Sequence, residues 1–169
     1  MKNSIFLVVL ILSLITVFGQ ENKKSTTALP TSFSIKIDGI LDEPAWQATS
    51  PAVDFIQRVP FNGKPATFST EVRFLYDNTG LHIDAILYDP KPDSIPMQFG
   101  LRDSDGLNAD YFLVTLSPFN DGLNAFCFKA WVSDVQTDFK MPGTGDDEDK
   151  DLSWNAVWQS KAKKKVITG

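Results

Sequence analysis

From Ser32 onward the chain is written in short runs of alternating apolar and polar residues, cut by clusters of Gly, Pro, Asp and Asn. A period of two sends successive side chains to opposite faces of a strand, whereas an amphipathic helix needs a repeat near 3.6. No run is long and periodic enough to make a helix that could cover a sheet, so sheets have to cover one another. The pattern predicts an all-β, antiparallel two-sheet β-sandwich of jelly-roll type.

Ser32–Ile37 is expected as the first strand, ending at Asp38-Gly39. Asp42 then stands where it can cap a helical turn containing Glu43 and Pro44, with Leu41 and Trp46 in the two positions of a hydrophobic staple. Glu71–Tyr76 and Leu81–Leu87 both alternate and predict a hairpin over Asp77-Asn78-Thr79-Gly80. Asp89-Pro90-Lys91-Pro92 ends the pairing, because each proline removes a backbone donor. Tyr111–Leu116 is nearly all apolar and is expected to be buried on both faces, with Asn124–Trp131 returning after a turn. Trp154–Ser160 is the last complete strand expected, with Trp154, Ala156 and Trp158 on one face. Val166-Ile167-Thr168-Gly169 begins an apolar run and stops, so the sandwich is expected to lack its terminal strand or strands.

The N-terminus has a different character. Lys2 precedes an apolar run from Ile5 to Phe18, too short to span a bilayer, and a polar stretch follows. Residues 1–19 are expected to be a signal peptide cleaved after Gly19, residues 20–31 a polar linker, and residues 32–169 a single domain. Export places the chain in the periplasm, at the outer membrane or outside the cell. Only Lys2 is a charge lost with the signal, so the net charge of −5 becomes −6. That acidity argues against nucleic acid or an anionic membrane as partner, and no stable membrane insertion of the mature chain is expected. Cys127 is the one cysteine, so no internal disulfide can form, and its apolar neighbours predict a buried thiol.

The segment Ile37-Asp38-Gly39-Ile40-Leu41-Asp42-Glu43-Pro44-Ala45-Trp46 resembles the opening signature of the family 9 carbohydrate-binding modules. The strand Val72–Tyr76, the sequence Leu87-Tyr88-Asp89-Pro90, the pair Asp110-Tyr111 and Trp154-Asn155-Ala156-Val157-Trp158 follow in that family's order. The resemblance covers about residues 35–169. It implies a calcium-containing β-sandwich that holds a glycan, often by its reducing-end sugar, between tryptophans, beside glycoside hydrolases that degrade polysaccharide. It is stronger toward a bacterial exported branch in which such a module precedes a C-terminal region resembling an outer-membrane barrel. In both branches a strand containing Gly-Trp follows the point at which this sequence stops.

Sugar sites pair an aromatic face for the C–H side of the ring with hydrogen-bonding groups for its hydroxyls. Trp158 and Trp131 are the expected platforms, because each stands at a strand end beside polar residues, and Trp154 shares the face of Trp158. Four residues of strand separate Trp154 from Trp158 by roughly 13 Å, so the two cannot clamp one ring. Arg102, its neighbour Asp103, and Arg73 are the expected hydroxyl partners. Asp103, Asp105 and Asp110 share one loop, and Asp146 and Asp147 lie in the acidic stretch Gly143–Asp151. Oxygen donors without histidine suit calcium, although neither loop has the spacing of an EF-hand.

No catalytic residue is expected: His82 has no companion for a triad or zinc site, and acids are too numerous for any pair to be diagnostic. Two other classes share the scaffold. One is a structural or docking domain for an outer-membrane barrel. The other is a haem-binding electron-transfer sandwich, for which His82, Met97 and Met141 are the axial candidates.

Overall fold

A computed structural model describes residues 24–142 and 149–164. The fold is all-β, with two three-stranded sheets and one helical turn beside a short 3-10 segment. The strands are β1 (Leu29–Pro30), β2 (Thr70–Tyr76), β3 (Leu81–Leu87), β4 (Tyr111–Leu116), β5 (Asn124–Trp131) and β6 (Gln136–Pro142), and α1 is Pro44–Gln47. The first sheet has the order β1-β2-β3, the second β4-β5-β6.

The expected hairpin forms in the register its turn dictates, with Tyr76 opposite Leu81 and Arg73 opposite Asp84. Asp77 builds that turn. Its backbone N–H donates to Gly80 O at 3.0 Å, and its Oδ1 accepts the Thr79 and Gly80 amides. β4 and β5 also span the expected residues and pair antiparallel. β4 is not buried on both faces: its exposure alternates, with Tyr111 at 49%. It is an edge strand, and one of its faces is open.

Two expected strands are corrected and one unexpected strand appears. Ser32–Ile37 is not a strand; the residues that pair are Leu29 and Pro30, parallel to Leu75 and Tyr76 of β2, within the stretch expected to be linker. The amides of 32–37 turn to side chains instead, Phe33 N to Thr31 Oγ1 and Lys36 N to Glu43 Oε1. Trp154–Ser160 forms no ladder either, for a reason given below. β6 had no signal in the alternation, since Gln136-Thr137-Asp138-Phe139-Lys140-Met141-Pro142 mixes polar and apolar residues irregularly. It exists because β5 offers it a partner, and Thr137, Asp138 and Phe139 are buried in succession because both faces are covered.

Glu43, not Asp42, stands at the N-cap of α1, and no side chain caps the helix. The Glu43 carboxylate accepts Lys36 N on one oxygen and Trp46 Nε1, at 3.2 Å, on the other. That bond sets the indole into the apolar cluster of Ala45, Trp46 and Leu75, onto which Leu29 and Ile35 pack. Leu41 stays 37% exposed, so the staple does not close. This cluster sits on the face of β2 that also carries Arg73, two residues before Leu75. Replacing Trp46 by Ala is expected to cost about 3–5 kcal/mol, the usual loss for a buried tryptophan. Denaturant unfolding of Trp46→Ala against the parent chain measures it.

Candidate functional site

Apart from Arg73, the side chains expected to hold sugar gather on the second sheet and are occupied with one another or with its residues. Trp131 is 2% exposed, its Nε1 donates to Thr137 Oγ1 at 2.9 Å, and Tyr111 stands edge-on to it. A rim position for Trp131 is thereby corrected: it ends β5 on the covered face and offers no ring surface. Trp154 packs on Phe126 and Phe128, and Trp158 meets Phe128 edge-on at 5.4 Å between centroids. Both indoles lie over the opposite face of β5.

Asp138 organises that face. Its carboxylate, 0% exposed, accepts Arg102 Nη2 and Trp158 Nε1 on Oδ1 and the Ala156 amide on Oδ2. Arg102 is spent in the same place, bonding Gln136 Oε1, Asn155 Oδ1 and Ala156 O, with its Nε 3.6 Å from Asp103 Oδ2. Asp103 Oδ1 accepts the Asp138 amide. Further along, Asp134 binds Lys161 and takes the Ala162 amide at 2.8 Å. This explains the missing strand: alternate residues from Trp154 to Ala162 do face inward, but two of the amides a ladder would use go to aspartates of β6 and its preceding turn.

Asp105 sits in a second cluster. Lys129 is 5% exposed, its ammonium 2.6 Å from Asp105 Oδ1 and within 5 Å of the rings of Tyr111 and Trp131. Lys150 approaches the other Asp105 oxygen at 3.2 Å. Burial alone would raise the Asp105 carboxyl, but the two lysines outweigh it and hold it below the ordinary value. The Asp103, Asp105 and Asp110 loop therefore does not fit calcium, since the ion would have to displace a guanidinium and two ammonium groups. Asp110 uses its backbone carbonyl to hold Val132 N. Among the described residues no three acids, histidines or cysteines come together as a metal site, and Asp146 and Asp147 lie outside them. Of the haem candidates, His82 bonds Asp77 in the first hairpin, Met97 bridges Ala109 and Met141 lies on β6.

The opening with unspent chemistry is on the first sheet. A cavity of about 400 Å³ is bounded by Leu41, Trp46, Thr49, Arg73, Asp84 and Ile86. Arg73 Nη2 donates to Glu71 at 2.6 Å and Nη1 to Asp84 Oδ2 at 3.1 Å, while Tyr88 donates to Glu71 from the outside. Asp84 is 2% exposed and, among the described residues, its Oδ1 has no hydrogen-bond partner. Burial pushes the Asp84 carboxyl above its ordinary value of 3.8, more than Arg73 pulls it down. Arg73 was expected at a site; Asp84 was not, although the four-residue turn fixes it opposite Arg73.

Compared with protein-family models, curated proteins and solved structures, the chain matches none.

Two outcomes follow from these contacts. Arg102→Ala leaves the buried Asp138 carboxylate without its cation and should cost about 3–5 kcal/mol, read from denaturant midpoints. Trp158→Ala should likewise lower stability, because the indole is both a ring contact and a donor to Asp138. Acid titrations of stability should run in opposite directions at two of the perturbed aspartates, Asp105 and Asp84. Asp105 has a lowered folded pKa, so its contribution is present above 3.8 and disappears as pH falls through the lowered value. Asp84 has a raised one, so the parent chain should lose stability relative to Asp84→Asn as pH climbs from 3.8 through the raised value.

Proposed function

We propose that this chain is an exported, non-catalytic carbohydrate-binding domain, a β-sandwich of the kind found in family 9 modules, and that it binds sugar at the Arg73–Asp84 cavity. The observation that carries the reading is a cavity large enough for a small ligand, lined by Arg73 and by Asp84, whose buried Oδ1 has no hydrogen-bond partner among the described residues. An unsatisfied buried acceptor costs about 1–3 kcal/mol, and a ligand hydroxyl relieves that cost by donating to it. Arg73 beside it supplies donors, so the pair matches a ligand whose hydroxyls both give and accept hydrogen bonds. Leu41, Ile86 and the edge of Trp46 provide apolar wall for the C–H side of a sugar ring.

Two features make this opening the better candidate than the Trp158–Arg102 region. The donors and acceptors around Asp138 are already matched within the chain, whereas those around Asp84 are one short. A neutral polyol also fits the local charge, since Arg73 is balanced by Glu71 and Asp84.

A second reading, a periplasmic structural or docking domain for an outer-membrane barrel, is favoured by large apolar side chains in the open. Leu101 is 83% exposed and Phe99 74%. Glycan-array screening followed by calorimetry on the best ligand separates the two. Sugar binding that falls about tenfold or more in Asp84→Asn and in Arg73→Gln, in variants that still unfold cooperatively well above the assay temperature, supports the cavity. Absence of glycan binding by the parent chain leaves the docking reading.

A further inference from the structure

The segment between the helix and β2 carries a second surface, separate from the sugar cavity. Residues 55–66 form an irregular hairpin: Ile56 bridges Pro65, Ala66 N donates to Phe55 O at 2.9 Å, and Gln57 N donates to Lys64 O at 2.7 Å. Gly63 N returns to Gln57 O and Lys64 N to Phe61 O, which closes the tip. Gly63 has φ 78°, the left-handed conformation the turn requires.

This held tip displays what soluble surfaces usually hide. Ile56 is 62% exposed, Val59 79% and Phe61 64%, within six residues of one another. Arg58 and Lys64 flank them and are exposed, and among the described residues neither is ion-paired. No Asp or Glu occurs from Phe55 to Thr70, in a chain that has 21 of them. The net charge of −5 is therefore the wrong guide to this surface, because screening confines each charge's influence to about 8 Å at physiological salt.

We propose that this hairpin tip docks on an anionic lipid bilayer, with Val59 and Phe61 entering the interface and Arg58 and Lys64 meeting the headgroups. Apolar side chains lower their free energy by leaving water for the acyl boundary, and basic side chains beside them are attracted to anionic lipid. A tip closed by its own backbone bonds loses little conformational freedom on docking, which favours binding by so few side chains. This is attachment at the surface: among the described residues no helix is long and apolar enough to cross a membrane.

Co-sedimentation of the purified exported chain with phosphatidylglycerol-rich vesicles, against pure phosphatidylcholine vesicles, tests it. The parent chain should pellet with the anionic vesicles and be released by high salt. Arg58→Gln and Lys64→Gln should each weaken binding about fivefold, and Val59→Ser or Phe61→Ser about tenfold or more. Phe119→Ser, at a site 70% exposed elsewhere, should change nothing, and melting temperatures of all variants should match the parent. Failure to pellet with anionic vesicles overturns the proposal, as does pelleting that ignores the tip substitutions. So does self-association of the free chain that Phe61→Ser abolishes, which would assign the tip to a second copy.

Discussion

The second sheet depends on one buried carboxylate. Asp138 is fully enclosed, and a charge taken that far from water is tolerated only when every lone pair is matched. Here the match comes from three donors in two separate parts of the chain: the guanidinium of Arg102, and the amide of Ala156 with the indole of Trp158. The interaction is thus topological as much as energetic. It fastens the extended segment 154–162 over Phe126 and Phe128 without any strand pairing, and it draws the 102–105 loop toward the edge of β6. The same segment reaches the N-terminal region, where a Cβ on Gly39 would stand 3.0 Å from Lys163 Cβ. Glycine at φ 74° makes that close approach feasible.

Among the described residues three charge pairs contain a buried member, and they differ in how completely they are closed. Arg102–Asp138 and Lys129–Asp105 are closed by further partners, namely indole, amide and a second lysine. Arg73–Asp84 is closed on one oxygen only. Evolution keeps polar groups buried either to hold a particular arrangement or to meet a ligand, and a missing partner is the physical sign of the second use. The Asp84 oxygen, without a partner among the described residues, is why the proposed sugar site lies on the first sheet and not at the tryptophans.

The apolar surface follows the same logic. The buried hydrophobic cluster is small, built on Trp46 and Leu75, while Phe61, Phe99, Leu101 and Phe119 stand largely in the open. Scattered exposed hydrophobes need no explanation, but a tip that joins three of them to two unpaired cations has a definite chemical preference. The proposed sugar cavity and the proposed lipid-docking tip would together suit a domain that works between glycan and membrane.

Much of the fold was legible because alternation reports directly on strands. The spans of β2, β3, β4 and β5 and the turn over Asp77–Gly80 follow from period two and turn chemistry, which are local properties. So were the helical turn at Trp46 and the buried Cys127, at 0% exposure. Where reading failed, the determining partner was remote in sequence. β6 is a strand only because β5 is beside it, and Trp154–Ser160 is not one because Asp138 and Asp134 capture its amides first. Trp131 and Trp158 look alike in sequence, each at the end of an apolar run, yet one is sealed between Tyr111 and Thr137 and the other lies on Phe128. The sequence alone determined the strands β2 to β5, the turn between the first two, and Arg73 as a side chain that could serve a ligand. Only the tertiary structure decided which side chains were left unpaired, because hydrogen-bond satisfaction is a property of the whole packed chain and not of any segment within it.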